Sequence, residues 1–251
     1  MNKLFIAGCG IKFLSHMTHE VQAIIQHSDC VVFLVNDPAM KKWILENSKK
    51  AISLDSIYFG SKLRKNSYDS ICQEIIRVTK LHKSTSFITY GHPLFLSNLS
   101  KQLIEKIEEK YPSVLVEILP GISSLDTMLC DLRVDPVNGG LQAYEATDFI
   151  NSHYQINSDS HLILWQIGIA GIQTIVQDEE ELIDNCQKKQ ALLKIQQKLL
   201  SIYQETHPVT LYVASIYPSI PFKKIDIPLF KLDGVNIPRL ATAYIPPTWI
   251  L

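Results

Sequence analysis

The chain has 251 residues, 46% of them hydrophobic and 20% charged, which is enough apolar material to bury one large core or two smaller ones. A formal net charge of −1 argues against a dedicated nucleic-acid binder, which would carry a strongly basic surface. No apolar run approaches the ~20 residues of a membrane-spanning helix, and Met1-Asn-Lys-Leu-Phe-Ile-Ala7 lacks the long apolar core of a signal peptide, so neither a membrane nor a nucleic-acid partner is expected. Five widely spaced cysteines (Cys9, Cys30, Cys72, Cys130, Cys186) form no CxxC, and read as buried or partly buried reduced thiols of a cytoplasmic protein.

Leu4 to Ala7 reads as a short buried strand that runs into the tight turn Gly8-Cys9-Gly10. Thr18 is placed to cap a helix carrying Val21, Ile24 and Ile25 and stopping before Asp29. Cys30 to Val35 is a second buried strand, closed by Asn36-Asp37-Pro38, and the order strand, helix, strand implies a parallel crossover. Asn66 is expected to cap a helix starting near Ser67, with Asp69 in its first turn and Ile71, Ile75 and Val78 as its apolar stripe. Ser86 to Tyr90 is the next strand. A helix from Leu99 to Lys110 then buries Leu103, Ile104 and Ile107 and leaves Glu105, Glu108 and Glu109 wet. Val114 to Leu119 is a strand that ends in Pro120-Gly121, after which Ser123 or Ser124 caps a helix through Leu129.

From about residue 135 the texture changes. Asp135-Pro-Val-Asn-Gly-Gly140 is the best linker candidate and divides the chain into domains 1–134 and 135–251. Beyond it lie three apolar strand candidates, His161 to Gly168, Val209 to Ala214 and Ala241 to Ile245. A long helix from about Glu179 to Tyr203 separates the first two, and the acids Asp178 to Glu181 sit at its start. The fold class is α/β, with two tandem α/β domains and a ligand cleft between them, because ligands of open α/β sheets lie beyond the carboxyl ends of the strands.

Gly8-Cys9-Gly10 resembles the opening of a dinucleotide fingerprint, but Leu14 stands where the third glycine belongs. There is no P-loop and no nucleophile elbow, and His16 and His19 lack further ligands at metal spacing, so no metal site is expected. Tyr90-Gly-His-Pro-Leu-Phe-Leu-Ser97 and Pro120-Gly-Ile-Ser-Ser124 share one layout, a strand end, a glycine turn, then a helix start. Either alone reads as a turn with a cap. Together with the turn at Gly8 to Gly10, all at strand carboxyl ends, they read as the floor of a cofactor site. Tyr58, Arg64 and Tyr68 read by default as a surface patch. Arg64 and Tyr68 are four residues apart across an expected helix start, so spacing alone leaves open whether they share a face.

In order along the chain, Tyr58…Arg64…Tyr68, Tyr90-Gly-His-Pro93, Pro120-Gly-Ile-Ser123, Tyr144-Glu-Ala-Thr147, Trp165-Gln-Ile-Gly168 and Tyr244-Ile-Pro-Pro247 resemble the tetrapyrrole methylase superfamily of class III methyltransferases. Within it they are most similar to the borosin peptide-backbone α-N-methyltransferases, since a tetrapyrrole enzyme would usually carry Asp where His92 stands. The chain departs from the pattern at its first turn, which reads Gly8-Cys-Gly-Ile11 rather than Gly-Pro-Gly. Fused borosins continue past the Tyr-Ile-Pro-Pro strand into a core peptide, whereas this sequence ends at Leu251, so a split enzyme acting on a separate precursor peptide is expected.

The resemblance implies S-adenosyl-L-methionine as cofactor, with S-adenosyl-L-homocysteine as product. It implies cofactor contacts from Tyr90, His92, Pro93, Phe95, Ser123 and Ser124 in the first domain. In the second domain the implied contacts are Gln166, Val213, Ala214, Thr242 and Ala243. It also implies a homodimer, and a heterotetramer once the precursor is bound. Catalysis would fall to Tyr58, Arg64 and Tyr68. An amide nitrogen is a poor nucleophile because its lone pair is delocalised into the carbonyl, so it must lose a proton while negative charge on the oxygen is stabilised. Arg64, always cationic, suits the second task. A tyrosine base would need its pKa lowered from about 10, the direction in which Arg64 would act, and which phenol serves as base stays open. Two other readings are a small-molecule methylase of the precorrin type and a catalytically silent peptide-binding module on the same fold.

Overall fold

The computed structural model describes residues 2–175 and 186–250. Its contacts divide the chain into two compact units, Met1–Thr127 with Ser215–Pro221, and Met128–Ala214 with Phe222–Leu251. The division falls inside the helix that follows Pro120-Gly121, and Asp135 to Gly140 form a loop of the second unit.

In the first unit β1 (Asn2–Gly8), β2 (Cys30–Leu34), β3 (Ala51–Ser53), β4 (Ser84–Thr89) and β5 (Val114–Leu119) form one parallel sheet in the order β3-β2-β4-β1-β5. Successive residues of a strand face opposite sides, so each inner strand feeds two cores and reads as an unbroken apolar run. Leu4, Ile6, Cys30, Val32 and Phe87 pack on one side against α4 (Arg64–Leu81) and α5 (Asn98–Lys110) through Ile71, Ile75, Val78, Leu103 and Ile107. Ala7, Val31, Phe33 and Ile88 pack on the other against α1 (His19–His27) and α2 (Pro38–Asn47) through Val21, Ile25, Met40 and Ile44.

The Thr18 hydroxyl caps α1 by accepting from Val21 N at 3.2 Å. Asp37-Pro38, read above as a closing turn, is also a helix start: Asp37 accepts from Ala39 N and Met40 N, and Pro38 supplies the fixed φ of the first helical position. Neither α2 nor the three-residue β3 was expected from the sequence.

One helix start is corrected. α4 begins at Arg64 with Leu63 in the cap position and no side-chain cap, so Asn66 lies inside the first turn. The cause is a tertiary contact. The buried Ser67 hydroxyl donates to Tyr58 O at 2.7 Å and pins this turn against α3 (Asp55–Tyr58). Asp69 therefore lies past the first turn and pairs with Lys106 of α5 at 2.6 Å.

The second unit holds β6 (Leu141–Glu145), β7 (His161–Trp165), β8 (Pro208–Val213), β9 (Lys223–Pro228) and β10 (Thr242–Ile245), in the order β6-β7-β10-β8-β9. Among the described residues β6 and β7 run parallel and the other pairs antiparallel, with β10 antiparallel to both neighbours. Its core joins Leu162, Leu164, Leu211, Ala243 and Ile245 to Leu192, Ile195 and Leu199 of α8 (Cys186–Leu200) and to Phe149 of α7 (Ala146–Asn151). α8 stops at Leu200, and Tyr203 N bonds back to Leu199 O in the turn that follows. The expected helix start at Glu179 and the acids Asp178 to Glu181 lie outside the described residues. Among the described residues no helix is long and apolar enough to cross a membrane. Cys9, Cys30 and Cys72 are buried, whereas Cys130 and Cys186 are exposed.

The two cap assignments separate in an unfolding experiment. Thr18→Ala removes a true cap and should cost about 1 kcal/mol in urea denaturation. Asn66→Ala places the best helix former at an exposed interior position and should be neutral or stabilising by a few tenths of a kcal/mol. Equal destabilisation by both would restore Asn66 as the cap.

Candidate active site

All five strands of the first sheet are parallel, so their carboxyl ends share one edge. At that edge β1 lies between β4 and β5, and the three turns that follow these strands meet backbone to backbone. Gly10 N donates to Gly91 O at 3.1 Å and Gly91 N to Gly10 O at 3.0 Å. A Cβ on Gly8 would stand 2.1 Å from Gly91 O, and one on Gly121 would stand 2.3 Å from the same oxygen and 2.8 Å from Gly8 O. Only glycine permits this approach. The result is a floor of bare backbone that carries the half-buried Tyr90 and His92, the buried Pro93 and the half-buried Phe95.

His92 Nδ1 accepts from Leu94 N at 3.1 Å, an arrangement that leaves the ring proton on Nε2. Ser123 resolves the open choice between the two serines at the start of α6 (Ser124–Leu132). Its hydroxyl accepts from Leu125 N and Asp126 N, while Asp126 Oδ2 accepts in return from Ser123 N and Oγ at 2.7 Å each. That reciprocal capping box occupies the Ser123 side chain, and the Ser123 carbonyl accepts from Thr127 N at 3.3 Å, so Ser123 is engaged chiefly in starting the helix.

Tyr58, Arg64 and Tyr68 are brought together. Tyr58 closes α3, which follows the carboxyl end of β3, and Arg64 opens α4, so all three lie at the same edge as the glycine turns. The Tyr58 and Tyr68 rings stack with centroids 6.4 Å apart and planes at 24°, and Phe59 meets Tyr58 edge-on at 5.0 Å. Arg64 and Tyr68 lie one turn apart on a single helix and therefore share a face, which resolves the question that spacing left open. Arg64 is the first residue of an 18-residue helix with no acid in its first turn. A cation there works against the helix dipole, and the two together concentrate positive potential at one point.

Arg64 acts on the Tyr68 phenol in the expected, lowering direction, but it is outweighed. Burial pushes the Tyr68 phenol up, the neighbouring Tyr58 phenol adds to it, and Arg64 opposes both without prevailing. Burial also pushes Tyr90 well above the phenol range, with Cys9 and Asp37 contributing. Both phenols hold their protons at neutral pH and are equipped to donate hydrogen bonds.

In the second unit Gln166 follows β7, Val213 ends β8 and Ala214 follows it, and Thr242 and Ala243 open β10. Because β10 is antiparallel, its start lies beside the carboxyl ends of its neighbours, with Thr242 opposite Tyr212 and Ala243 opposite Leu164 and Leu211. These five residues therefore share one edge of the second sheet. Gln166 is held in the left-handed region at φ +57°, a strained state for a residue with a Cβ, and a Cβ on Gly168 would stand 1.9 Å from Pro238 O. Among the described residues no group of three His, Cys, Asp or Glu side chains is placed to hold a metal ion.

Sequence reading missed the pairing of Asp37 with Tyr217. The Tyr217 hydroxyl donates to Asp37 Oδ1 at 2.5 Å, and this bond, with burial adding, holds the phenol above its ordinary range. The residues are 180 apart in the chain, and no local signal links them.

The description of the tetrapyrrole (corrin/porphyrin) methylases matches residues 3–159. The chain is 29% identical over 250 residues to the methyltransferase/ribosomally synthesised type I borosin cyclic peptide precursor of Coprinopsis marcescibilis, covering 98% of this chain and 62% of that protein. It is 30% identical over 249 residues to the methyltransferase/ribosomally synthesised omphalotin A precursor of Omphalotus olearius, covering 97% of this chain and 57% of that protein. The chain thus spans about three fifths of the length of these relatives. Among solved structures, uroporphyrin-III-C-methyltransferase of Thermus thermophilus superposes with a TM-score of 0.66 at 12% identity, over 98% of this chain and 92% of that one. The same enzyme complexed with S-adenyl homocysteine gives 0.63 at 13% identity, over 97% of this chain and 92% of that one.

Two measurements test this geometry. Gly121→Ala forces a Cβ onto fixed backbone oxygens and should cost about 1–3 kcal/mol in urea denaturation, while Gly234→Ala, with open space around its Cβ, should stay within about 0.5 kcal/mol of the unsubstituted protein. In an NMR titration with labelled tyrosine, Tyr68 should remain protonated past its ordinary pKa of about 10, and Arg64→Gln should push it higher still. Ionisation of Tyr68 below pH 10 would reverse the stated balance between burial and Arg64.

Proposed function

The chain belongs to the tetrapyrrole (corrin/porphyrin) methylase family, and from that premise we propose that it transfers methyl groups from S-adenosyl-L-methionine to backbone amide nitrogens of a ribosomally made peptide. The observation that carries the reading is the cluster of Tyr58, Arg64 and Tyr68 at the same sheet edge as the three glycine turns. Similarity to borosin methyltransferase–precursor fusions along nearly the whole chain supports it.

When bound, S-adenosyl-L-methionine supplies an electrophilic methyl group on a sulfonium and leaves as S-adenosyl-L-homocysteine. The protein must hold the amide in line with that methyl and stabilise the amide in its deprotonating form. Arg64, reinforced by the positive end of α4, stabilises the negative charge that grows on the carbonyl oxygen as the nitrogen loses its proton. Tyr68 keeps its own proton and so donates a second hydrogen bond to the same oxygen. Tyr58, stacked beside it, is left to relay the amide proton toward solvent. In this reading the first unit offers Tyr90, His92, Pro93, Phe95, Ser123 and Ser124 to the methyl donor, several of them through backbone groups alone, and the candidate donor contacts of the second unit, taken by itself, are Gln166, Val213, Ala214, Thr242 and Ala243.

The finer form of the reading has the peptide as a separate chain and the enzyme as a homodimer. Mass spectrometry of a candidate precursor co-expressed with this chain should show one methyl per modified residue, located on backbone nitrogens by fragmentation. Exclusive side-chain methylation would sink the reading. Methylation only of a peptide fused to this chain would remove the separate-precursor form alone, and sedimentation showing a stable, active monomer would remove the dimer. The likeness to a uroporphyrin methylase favours one rival, a small-molecule methylase, which turnover of a precorrin-like substrate without peptide activity would establish.

Arg64→Ala should lower the peptide methylation rate by about 10²–10³, the usual cost of one oxyanion donor, with cofactor affinity little changed. Arg64→Lys should rescue only in part, because a point charge does not replace a planar fork. Tyr68→Phe should also slow methylation while leaving cofactor binding intact. Unmodified rates in both Arg64→Ala and Tyr68→Phe would reduce the cluster to a surface patch.

A further inference from the structure

α3 is four residues long and ends at Tyr58, so no amide of its own helix can reach the Tyr58 carbonyl. That carbonyl takes its hydrogen bond from outside, from the buried Ser67 hydroxyl of α4 at 2.7 Å. A serine or threonine inside a helix ordinarily turns its hydroxyl back to a carbonyl one turn earlier. Others in α4 do so: Ser70 donates to Asn66 O at 3.2 Å and Thr79 to Ile75 O at 2.8 Å. Ser67 instead reaches nine residues back, to the helix before its own.

In sequence Ser67 stands between Arg64 and Tyr68, both on α4, whereas Tyr58 is the one member of the cluster carried by α3. The bond therefore ties the backbone of Tyr58 to the helix that carries the other two. The opposite end of α3 is held independently. Asp55, its first residue, accepts from Lys41 Nζ of α2 at 2.5 Å. Leu54, just before it, is buried and donates through its amide to Phe33 O at 3.0 Å. Loss of the Ser67 bond would thus free the Tyr58 end of α3 and leave the other end in place.

We propose that Ser67 is a positioning residue for methyl transfer. Its bond to Tyr58 O holds the Tyr58 ring in its stack with Tyr68, 6.4 Å between centroids, beside the helix that begins with Arg64. Ser67 acts through Tyr58 alone. The inference rests on the methyltransferase reading above, which supplies the role of the Tyr58 hydroxyl.

The test compares Ser67→Ala with Thr79→Ala in the full chain. Thr79→Ala removes an equally buried hydroxyl of the same helix, one whose bond stays within that helix. Both variants should lose stability in urea, and both should bind S-adenosyl-L-homocysteine as the unsubstituted protein does. Ser67→Ala alone should lower kcat for peptide methylation, by about 10–100-fold with KM for the donor unchanged, since a displacement of about 1 Å costs up to about 10² in rate. Ser67→Cys, which keeps the space filled and supplies only a weak donor, should show the same fall in smaller measure. In a Tyr58→Phe background, which keeps the carbonyl and lacks the hydroxyl, Ser67→Ala should cost less than about twofold further. NMR of tyrosine-labelled protein without ligand reads the geometry apart from activity: the Tyr58 and Tyr68 ring signals should shift in Ser67→Ala and hold in Thr79→Ala. An unchanged kcat or unmoved ring signals in Ser67→Ala overturn the inference and leave the methyltransferase reading standing, as does an equal fall of kcat in Thr79→Ala. A loss that persists in full in the Tyr58→Phe background overturns it too, by removing Tyr58 as the route. Absence of peptide methylation by the unsubstituted protein removes the reading, and the role of Ser67 with it.

Discussion

The first unit depends on how closely three backbones can approach at one sheet edge. Neighbouring strands lie about 4.8 Å apart, and where β1, β4 and β5 end, three chains must bend away through the same small space. Gly8, Gly91 and Gly121 make this possible by presenting no side chain, and the reciprocal bonds between Gly10 and Gly91 satisfy backbone groups that would otherwise be buried unpaired. Everything set on those turns inherits its position from that contact. Tyr90 and His92 leave one bend, and Ser123 with its capping box leaves another. A sheet with a larger residue at any of these points would have to separate the turns, and the floor would open.

Beside this neutral floor stands a charged feature of different origin. α4 begins with an arginine at its positive end and has no acid in its first turn to relieve it. Local energetics disfavour that choice, and the buried bond from Ser67 to Tyr58 offsets the poor start by anchoring the turn from outside the helix. The pairing of an unfavourable local element with a compensating tertiary contact is the pattern expected where chemistry, rather than stability, has set the residue. Burial acts on the adjacent Tyr68 in the same sense, since it withholds a proton that water would release more readily. The cluster therefore offers positive potential and a hydrogen-bond donor at once, a combination suited to a developing oxyanion.

Local rules reached a large part of this arrangement and stopped at identifiable places. Continuous apolar runs disclosed β1, β2 and β4, since an inner parallel strand is buried on both faces. Thr18 disclosed α1 because its cap is made within three residues. Asn66 misled for the same reason, since a good capping residue was visible and the competing bond between Ser67 and Tyr58 was not. β9 escaped notice because its exposed residues, Lys223 to Asp226, follow no apolar period, and β6 because only part of it is buried. The glycine turns were legible as a set, but that a single oxygen of Gly91 faces two of the others is a fact of register. The Tyr68 phenol shows the remaining limit: sequence gives the charge four residues away, whereas the burial that outweighs it is set by the whole first unit.

In the second unit β10 occupies the middle of its sheet although it is the last of the described strands. During synthesis β7 and β8 are made without the partner that joins them, and each waits with one edge open until Thr242 to Ile245 arrive. Two unpaired edges invite wrong pairings, and a ribosome adding roughly 5–20 residues per second leaves that interval open for seconds. The first unit has no such delay for its sheet, whose strands are complete by Leu119. A chain that ends before Thr242 has a finished first sheet and a second sheet that lacks its central strand, so the facing edges of β7 and β8 stay unpaired.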